Sequence, residues 1–231
     1  MRSKARYIWL SLIQACGMLC LIGVYQVAIG QNPKDSVMVE LPEPPRLRGF
    51  LSSFGSISAA AGIDPLLETS LPEGVKELRI WIGGGYVVPE VMNRIMIQNG
   101  RVGGERYFYW PLSPSEEDRR KSIDELSNQL ENDCDALTWN ESYLVCRYRI
   151  EDTTGWARAY TYAEEEGIWT IPDEWDLPGE TYLALDGAYV TIELRDQSSY
   201  RVYRYDAFPN PESSDEAQSV HKIVRAINAV R

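Results

Sequence analysis

Glu77–Trp110 reads ELRIWIGGGYVVPEVMNRIMIQNGRVGGERYFYW. It begins with an alternation whose apolar members are Leu78, Ile80 and Ile82, and this period of two predicts a strand with one buried and one exposed face. A second apolar run near Val91–Gln98 is separated by Asn99-Gly100 from a third at Glu105–Trp110. Asn-Gly between two apolar runs is typical of a hairpin turn, and the following Gly103-Gly104 indicates a longer loop or a bulge. We therefore expect an antiparallel sheet on which the other elements pack.

The first 30 residues are typical of a secretory signal peptide. Three basic residues precede a mostly apolar run, Tyr7–Ile29, and small residues, Ala28 and Gly30, lie at its end. This arrangement predicts cleavage between Gly30 and Gln31 and export to the periplasm or to the outside of the cell. An uncleaved membrane anchor is the alternative, because about 20 apolar residues are enough to span a bilayer.

Cleavage would leave an acidic chain of ordinary composition. The sequence carries 34 acidic and 23 basic side chains, three of the basic ones within residues 1–30, so the mature chain has a formal charge of −14. This charge argues against nucleic acid and anionic membranes as partners and allows a cationic one. Contact with a membrane is expected only if the N-terminal segment is uncleaved. The proline-rich residues 31–49 predict an extended linker, and residues 50–231 predict a single domain.

Two cysteines, Cys134 and Cys146, lie beyond the predicted signal peptide. In an oxidising compartment an isolated pair predicts a structural disulfide bond. His221 is the single histidine of the sequence, and two thiols with one distant imidazole do not supply the four ligands of a structural zinc site. We expect neither a metal nor a cofactor.

Two amphipathic helices are predicted by capping boxes. The first is capped by Ser113 with Glu116, and the second, at the C-terminus, by Ser213 with Glu216. Their apolar stripes at helical spacing are Ile123, Leu126 and Leu130 in the first and Ala217, Val220, Val224, Ile227 and Val230 in the second.

Two further hairpins complete the expected sheet. The pairs are Tyr143–Ile150 with Trp156–Ala163, and Ala188–Arg195 with Tyr200–Tyr205. The predicted fold class is α+β, an antiparallel sheet of about three hairpins with two amphipathic helices. Residues 91–131 and 188–231 each read as a hairpin followed by a helix, so a duplicated ββα unit is one interpretation.

Two groups of short motifs lie within residues 75–210. They are Leu78–Gly83 with Pro89 and Arg94-Ile95, and Asp186-Gly187 before Glu193–Arg195 and Tyr200–Tyr203. Together they resemble a family of uncharacterised exported bacterial proteins. The resemblance implies export and a single domain, and it implies no activity.

Few residues could form a catalytic site. Gly83–Gly85 follow a strand but match neither dinucleotide nor phosphate-loop motifs, which favours a bend in the backbone. His221 is the only possible base for a Ser-His-Asp triad, and no nucleophile elbow precedes it. Paired carboxylates, which glycosidases use, are the enzymatic alternative. The candidates are Glu164–Glu166, Asp173, Glu174, Asp176 and Glu193, with Trp169, Trp175 and Tyr189 as a sugar platform.

The third hairpin offers a candidate binding face rich in tyrosine and arginine. Its residues are Tyr189, Tyr200, Arg201, Tyr203 and Tyr205. Aromatic–arginine ladders that stabilise a half-exposed sheet are the structural interpretation, whereas tyrosine, tryptophan and arginine are also frequent anchors of interfaces. We expect Val190, Ile192 and Leu194 to enter the core and the alternate side chains of their strand to face outward.

The sequence therefore favours an exported, non-catalytic protein that binds a protein or a glycan. The alternatives are a small carbohydrate-active hydrolase and an acidic envelope inhibitor or immunity protein. Two carboxylates across an aromatic-lined cleft would favour the hydrolase. A flat exposed face of tyrosine, tryptophan and arginine would favour a binding protein, and a concentrated acidic patch would favour the inhibitor.

Overall fold

The structure is a computed structural model that describes residues 45–83, 89–130, 132–177, 188–207 and 214–231. All of them belong to one unit, Val37–Arg231. The predicted signal peptide, its cleavage site at Gly30 and Gln31, and residues 31–44 of the predicted linker lie outside the described residues. In the part of the chain that is described, no helix has the length and apolar character needed to cross a bilayer.

In the part of the chain that is described, the fold is built on one antiparallel sheet of seven strands. The strands are β1 Val75–Gly83, β2 Glu90–Gln98, β3 Arg101–Pro111, β4 Ala136–Trp139, β5 Tyr143–Arg149, β6 Tyr189–Arg195 and β7 Tyr200–Asp206. Their order across the sheet is β4-β5-β3-β2-β1-β6-β7, so β1 lies between β2 and β6. Four pairs of consecutive strands are antiparallel neighbours, one more than predicted. The predicted α+β class is confirmed.

Four α-helices accompany the sheet in the described residues. They are α1 Pro45–Ala61, α2 Glu116–Leu130, α3 Thr153–Glu165 and α4 Asp215–Asn228, and short 3-10 turns lie at Leu66–Glu68 and Glu174–Asp176. The predicted strand Trp156–Ala163 lies within α3, so the prediction of the second hairpin was wrong. Tyr143–Arg149 pairs instead with β4.

The reason for α3 is visible in the spacing of its buried side chains. Trp156, Ala159, Tyr160 and Ala163 are all buried, and their spacing is that of one helical face. Asp152 caps the helix, because its Oδ1 accepts a hydrogen bond of 2.8 Å from the backbone N–H of the third helical residue. The cap at Asp152 and the buried face at helical spacing therefore decide for a helix here, although tyrosine and tryptophan favour strands.

The other helices begin at residues different from those predicted. The hydroxyls of Ser115 and Ser214 accept hydrogen bonds from backbone N–H groups in the first turns of α2 and α4. The predicted cap Ser113 accepts instead from the backbone of Ser115, and Ser213 lies outside the described residues. Helix α1 begins at Pro45, within the predicted linker of residues 31–49, because proline suits the first turn of a helix.

Within the described residues, a hairpin followed by a helix occurs three times. The units are β2-β3-α2, β4-β5-α3 and β6-β7-α4. Two ββα units were predicted, in residues 91–131 and 188–231, with only a hairpin between them. The structure has a third ββα unit, β4-β5-α3, at that place.

The hairpin predicted at Asn99-Gly100 is present between β2 and β3, and its turn consists of these two residues alone. Both residues have positive φ, 52° and 75°, as this kind of hairpin turn requires. Strand pairing continues through Gly103 and Gly104, so the expected longer loop or bulge was wrong. Gly104 has a different role, because a Cβ atom there would lie 2.6 Å from the indole of Trp156. Glycine lets α3 approach the sheet closely.

Both faces of the sheet are covered by apolar packing. On the α3/α4 face, β1 contributes Leu78 and Ile80, and the predicted apolar stripe of α4 is buried against it. On the opposite face, called the α1 face, Phe54 of α1 stacks on Trp81 with ring centroids 4.3 Å apart. The alternation in β1 predicted one exposed face, and this was wrong because Arg79 and Trp81 are 1% and 2% exposed.

The predicted disulfide joins the end of α2 to the sheet. Cys134 follows α2 and Cys146 lies on β5, with their sulfur atoms 2.03 Å and their Cα atoms 5.5 Å apart.

Candidate functional site

The five residues of the predicted binding face lie on both faces of the sheet. Tyr203 and Tyr205 are on the α3/α4 face and are 1% and 0% exposed, so they cannot contact a partner. Tyr189 and Tyr200 are on the α1 face and are partly buried. Arg201 donates hydrogen bonds to two backbone carbonyls in the loop after α3. The five side chains therefore do not form one flat exposed surface.

The alternate side chains of β6 are covered as well, contrary to expectation. Thr191 and Glu193 are 3% and 2% exposed, because the 3-10 turn at Leu66–Glu68 packs against this strand on the α1 face. At the edge of that face the guanidinium carbon of Arg204 lies 3.2 Å from the ring centroid of Tyr189. The hairpin is thus a structural ladder of aromatic and arginine side chains.

A layer of charged side chains lies on the α1 face beside the aromatic core. This charged layer consists of Glu77, Arg79, Arg94, Glu105, Arg147, Glu193 and Arg195. At its centre, Glu77 accepts hydrogen bonds from Nε of Arg79 at 2.8 Å and from Nε and Nη2 of Arg94 at 2.7 and 3.1 Å. Arg79 also donates to Ser58 on α1 and to the carbonyl of Asp64, so the layer ties α1 and the following loop to the sheet.

The charges at the centre of the layer are fixed by their partners. Burial alone would raise the pKa of Glu77, but the hydrogen bonds and charges of Arg94 and Arg79 outweigh it and lower this pKa below 4.5. Burial also opposes the charge of Arg94, yet Glu77 raises the pKa of Arg94 above its ordinary value. Both groups therefore stay ionised at neutral pH.

Glu105 continues the layer toward β5. It accepts a hydrogen bond of 2.7 Å from the hydroxyl of Tyr107, and Arg94 and Arg147 approach it at 3.5 and 3.9 Å. Burial and the neighbouring Glu105 raise the pKa of Tyr107 to about 12. The phenol is therefore a permanent donor at physiological pH.

Glu193, a predicted carboxylate candidate, is sealed within the charged layer. Its two oxygens accept hydrogen bonds from the indole of Trp81 at 2.5 Å and from the hydroxyl of Tyr200 at 2.8 Å. Burial raises the pKa of Glu193, although the charge of Arg79 and these two hydrogen bonds oppose the shift. Because Glu193 is 2% exposed, it serves the core and has no access to a substrate.

A different set of predicted carboxylates does come together. Asp173 and Glu174 lie beside Asp206 at the end of β7, with Arg204 and Tyr189 nearby. Burial raises the pKa of Glu174, the negative charges of Asp206 and Asp173 raise it further, and Arg204 opposes them. A raised pKa is one property that a general acid needs.

Of the remaining carboxylate candidates, two have hydrogen-bond partners at the surface and two are exposed. Glu164 accepts a hydrogen bond of 2.7 Å from the hydroxyl of Tyr160, and Glu166 accepts one of 2.7 Å from Ser219. Glu165 and Asp176 are exposed. The indole of Trp169 lies under the ammonium of Lys76 at 4.9 Å, and the side chain of Trp175 lies outside the described residues.

An exposed acidic region of the described surface is a segment that we call the acidic arm, residues 112–142, of which residue 131 is not described. It comprises α2, the loop with Cys134, and β4, and it contains nine acidic and three basic residues. None of the α2 side chains is fully buried, and Trp139 on β4 is 55% exposed. This segment was not predicted as a site, although its excess of acidic residues is evident in the sequence.

The base of the acidic arm is held firmly. The backbone N–H of Leu112 donates to the carbonyl of Ser142 at 2.8 Å, and that of Asp135 donates to Arg147 at 2.9 Å. The side-chain amide of Asn140 donates to the carbonyl of Ser56 at 2.8 Å. With the disulfide bond, these contacts present the exposed charges on a fixed support.

Two open depressions occur in the described surface. One, of about 690 Å³, lies beside the turn between β2 and β3 and is lined by Met96, Gln98, Asn99, Arg101, Val102 and Gly103. The other, of about 570 Å³, follows α2 in the acidic arm. Among the described residues no group of three histidine, cysteine or acidic side chains could hold a metal ion. His221 is partly buried on α4.

No protein-family model, curated protein or solved structure matches this chain.

Proposed function

We propose that the mature protein is an exported, non-catalytic binding protein that uses the acidic arm to bind a partner with a basic surface. The observation that carries this proposal is the exposure of Trp139 at 55% within a segment of nine acidic and three basic residues. Tryptophan is a frequent anchor of interfaces, and a surrounding field of one sign accelerates and orients association. An acidic inhibitor or immunity protein is one form that such a protein takes.

The rest of the acidic surface supports this choice. Most described acidic side chains outside the arm and near the core have specific partners, as Glu77, Glu105 and Glu193 show. Within the arm the contrast is clear. Glu116 pairs with Arg120 across one helical turn at 2.9 Å, but both side chains are 75% exposed. Such a pair contributes little to stability, so the arm's charge is better explained by recognition.

A lysine decamer is a suitable first probe for the acidic arm. Titration of the isotope-labelled mature protein should shift backbone NMR signals of α2 and β4, together with the indole signal of Trp139. The dissociation constant should rise steeply with salt, because the association is electrostatic. Shifts spread evenly over the acidic surface would contradict the proposal.

Two charge-matched variants make this test specific. The arm variant carries Asp124→Asn, Asp133→Asn and Glu141→Gln. The control variant carries Glu73→Gln, Glu151→Gln and Glu165→Gln. All six side chains are exposed, and each variant loses three negative charges. The arm variant should bind the decamer at least about threefold more weakly than the control. Equal binding by the two variants would show that net charge alone is responsible.

The acids around Glu174 favour a second candidate function, a carboxylate-dependent hydrolase. Its support is the raised pKa of Glu174 beside Asp173 and Asp206. The mature protein should then release reducing ends from a polysaccharide panel, and Glu174→Gln should abolish this activity without changing the melting temperature by more than a few degrees. Absence of activity, or equal activity of the variant, would exclude this candidate.

A further inference from the structure

Strand β4, Ala136–Trp139, is one edge of the sheet, because among the described strands β5 is its single neighbour. The backbone N–H of Asn140 donates to the carbonyl of Tyr143 at 3.0 Å, which continues the register of β4 with β5. In an antiparallel pair the backbone groups face the partner strand at every second residue, so those of Leu137 and Trp139 face the open side. Each of these two residues offers a further strand one donor and one acceptor.

The opposite edge of the sheet, β7, is protected. The 3-10 turn at Glu174–Asp176 packs against it. The N–H of Ala207 donates to the carbonyl of Ala188, so the backbone N–H of Asp206, one residue earlier, faces away from β6. The carboxylate of Glu174 accepts a hydrogen bond from this N–H. No described residue gives the open side of β4 a comparable acceptor, so β4 is available for pairing.

The side chains beside this open edge are only partly covered. Leu137 is partly buried and Trp139 is 55% exposed. Both lie on the face opposite α1, because Cys146 and Leu144, which they pair with, alternate with Val145 of the α1-face core. The apolar stripe of α2 is also only partly buried. A strand added at β4 would place a side chain beside the indole, at about 4.5–5.5 Å between Cβ atoms, and would cover it.

The charges around β4 decide what kind of strand fits there. Asp133, Asp135 and Glu141 flank the strand and are exposed, within an arm of nine acidic and three basic residues. A second copy of this chain is a poor occupant, because antiparallel pairing of β4 with its copy would bring acidic residues together at both ends of the strand. A segment that carries lysine or arginine around a short apolar stretch would meet opposite charges at those ends.

We propose that β4 accepts an extended, basic segment of the partner protein as an additional antiparallel strand. The backbone groups of Leu137 and Trp139 supply the hydrogen bonds, and the apolar side chains of the segment pack on the indole of Trp139. All described strand pairs of the sheet are antiparallel, so this orientation continues the fold. The inference rests on the function proposed above and deepens it, because it adds the conformation of the bound segment to the sign of its charge.

A capped nonapeptide, Lys-Lys-Thr-Val-Thr-Val-Thr-Lys-Lys, tests strand addition to the mature protein. In one isomer both valine nitrogens are methylated, and in the other the nitrogens of the first and last threonines, so that charge and side chains stay the same. The valines that cover Trp139 would share its face and would therefore hydrogen-bond to β4. Methylation of the valines should weaken binding at least about tenfold, whereas methylation of the threonines should retain it. Equal binding by the two isomers would overturn the inference.

Hydrogen exchange and the lysine decamer complete the test. The nonapeptide should slow exchange at the backbone N–H groups of Leu137 and Trp139, which gain acceptors, and should change little at Thr138, which already faces β5. Unchanged exchange at Leu137 and Trp139 would refute strand addition, and the proposed function would stand if the lysine decamer still shifts the signals of the acidic arm. If neither peptide shifts those signals, the proposed function fails and this inference fails with it.

Discussion

Glu77→Gln tests whether the charged layer holds the fold together. Glu77 is 1% exposed and joins two arginines through contacts of 2.7–3.1 Å. The substitution keeps the size of the side chain and removes its charge, which leaves the buried Arg79 and the half-buried Arg94 without their anion. Removing one partner of a buried ion pair costs about 3–5 kcal/mol. That is a large share of the roughly 5–15 kcal/mol that stabilises an ordinary domain.

Urea unfolding followed by circular dichroism should show this loss as a lower midpoint with an unchanged slope. The matched control is Glu116→Gln, which breaks a 2.9 Å ion pair whose partners are both 75% exposed. This control should cost less than about 1 kcal/mol, because exposed pairs contribute little. Equal costs for the two substitutions would mean that the charged layer is hydrated and does not stabilise the fold.

The charged layer also predicts the direction in which the stability of the fold changes with pH. The pKa of Glu77 is lower in the folded protein than its ordinary value of 4.5, because two arginines hold the charged form. The contribution of Glu77 to stability is therefore complete above pH 4.5 and is lost as the pH falls through the lowered pKa of the folded protein. The stability difference between the native protein and Glu77→Gln should shrink over that acidic range. A difference that is constant or grows on acidification would refute the assignment.

Three further predictions concern the fold and its processing. Gly104→Ala should cost about 1–3 kcal/mol by thermal unfolding, because the new Cβ would lie 2.6 Å from a buried indole, whereas Gly103→Ala, with nothing within 4 Å, should change stability little. Replacing Cys134 and Cys146 together by serine should cost about 3 kcal/mol, and thiol labelling of the denatured, unreduced mature protein should find no free cysteine. N-terminal sequencing of exported protein should begin near Gln31, and recovery of only full-length protein in the membrane would contradict this.

Much of the fold could be predicted because its signals are local. The Asn99-Gly100 turn and the stripe of α4 need only neighbouring residues, and the structure has both. The error at α3 came from weighing tyrosine and tryptophan as strand formers, although Asp152 and the spacing after it indicated a helix. Propensity yields to tertiary packing in such a case.

The candidate sites were harder to predict because they depend on distant residues. Glu77 and Arg79 on β1 face Arg195 and Glu193 on β6, so the alternating charges of one strand complement those of the other. Each strand alone looks like an exposed polar face, and only the pairing shows that the charges are buried together. The covering α1 arises from a serine- and glycine-rich segment that carries no strong helical signal.

The interior position of β1, between β2 and β6, has a consequence for how the chain is made. Its partner β2 follows almost at once in the sequence, but its other partner, β6, comes much later. Glu193 on β6, which accepts a hydrogen bond from the indole of Trp81 on β1, is 112 residues further along the chain. A chain emerging from its N-terminus can pair β1 with β2 while the other edge of β1 stays open. Open strand edges recruit other chains, and distant pairings form slowly. Until residues 189–195 emerge, the nascent protein would be most vulnerable to aggregation along β1, which is where a chaperone would have to act.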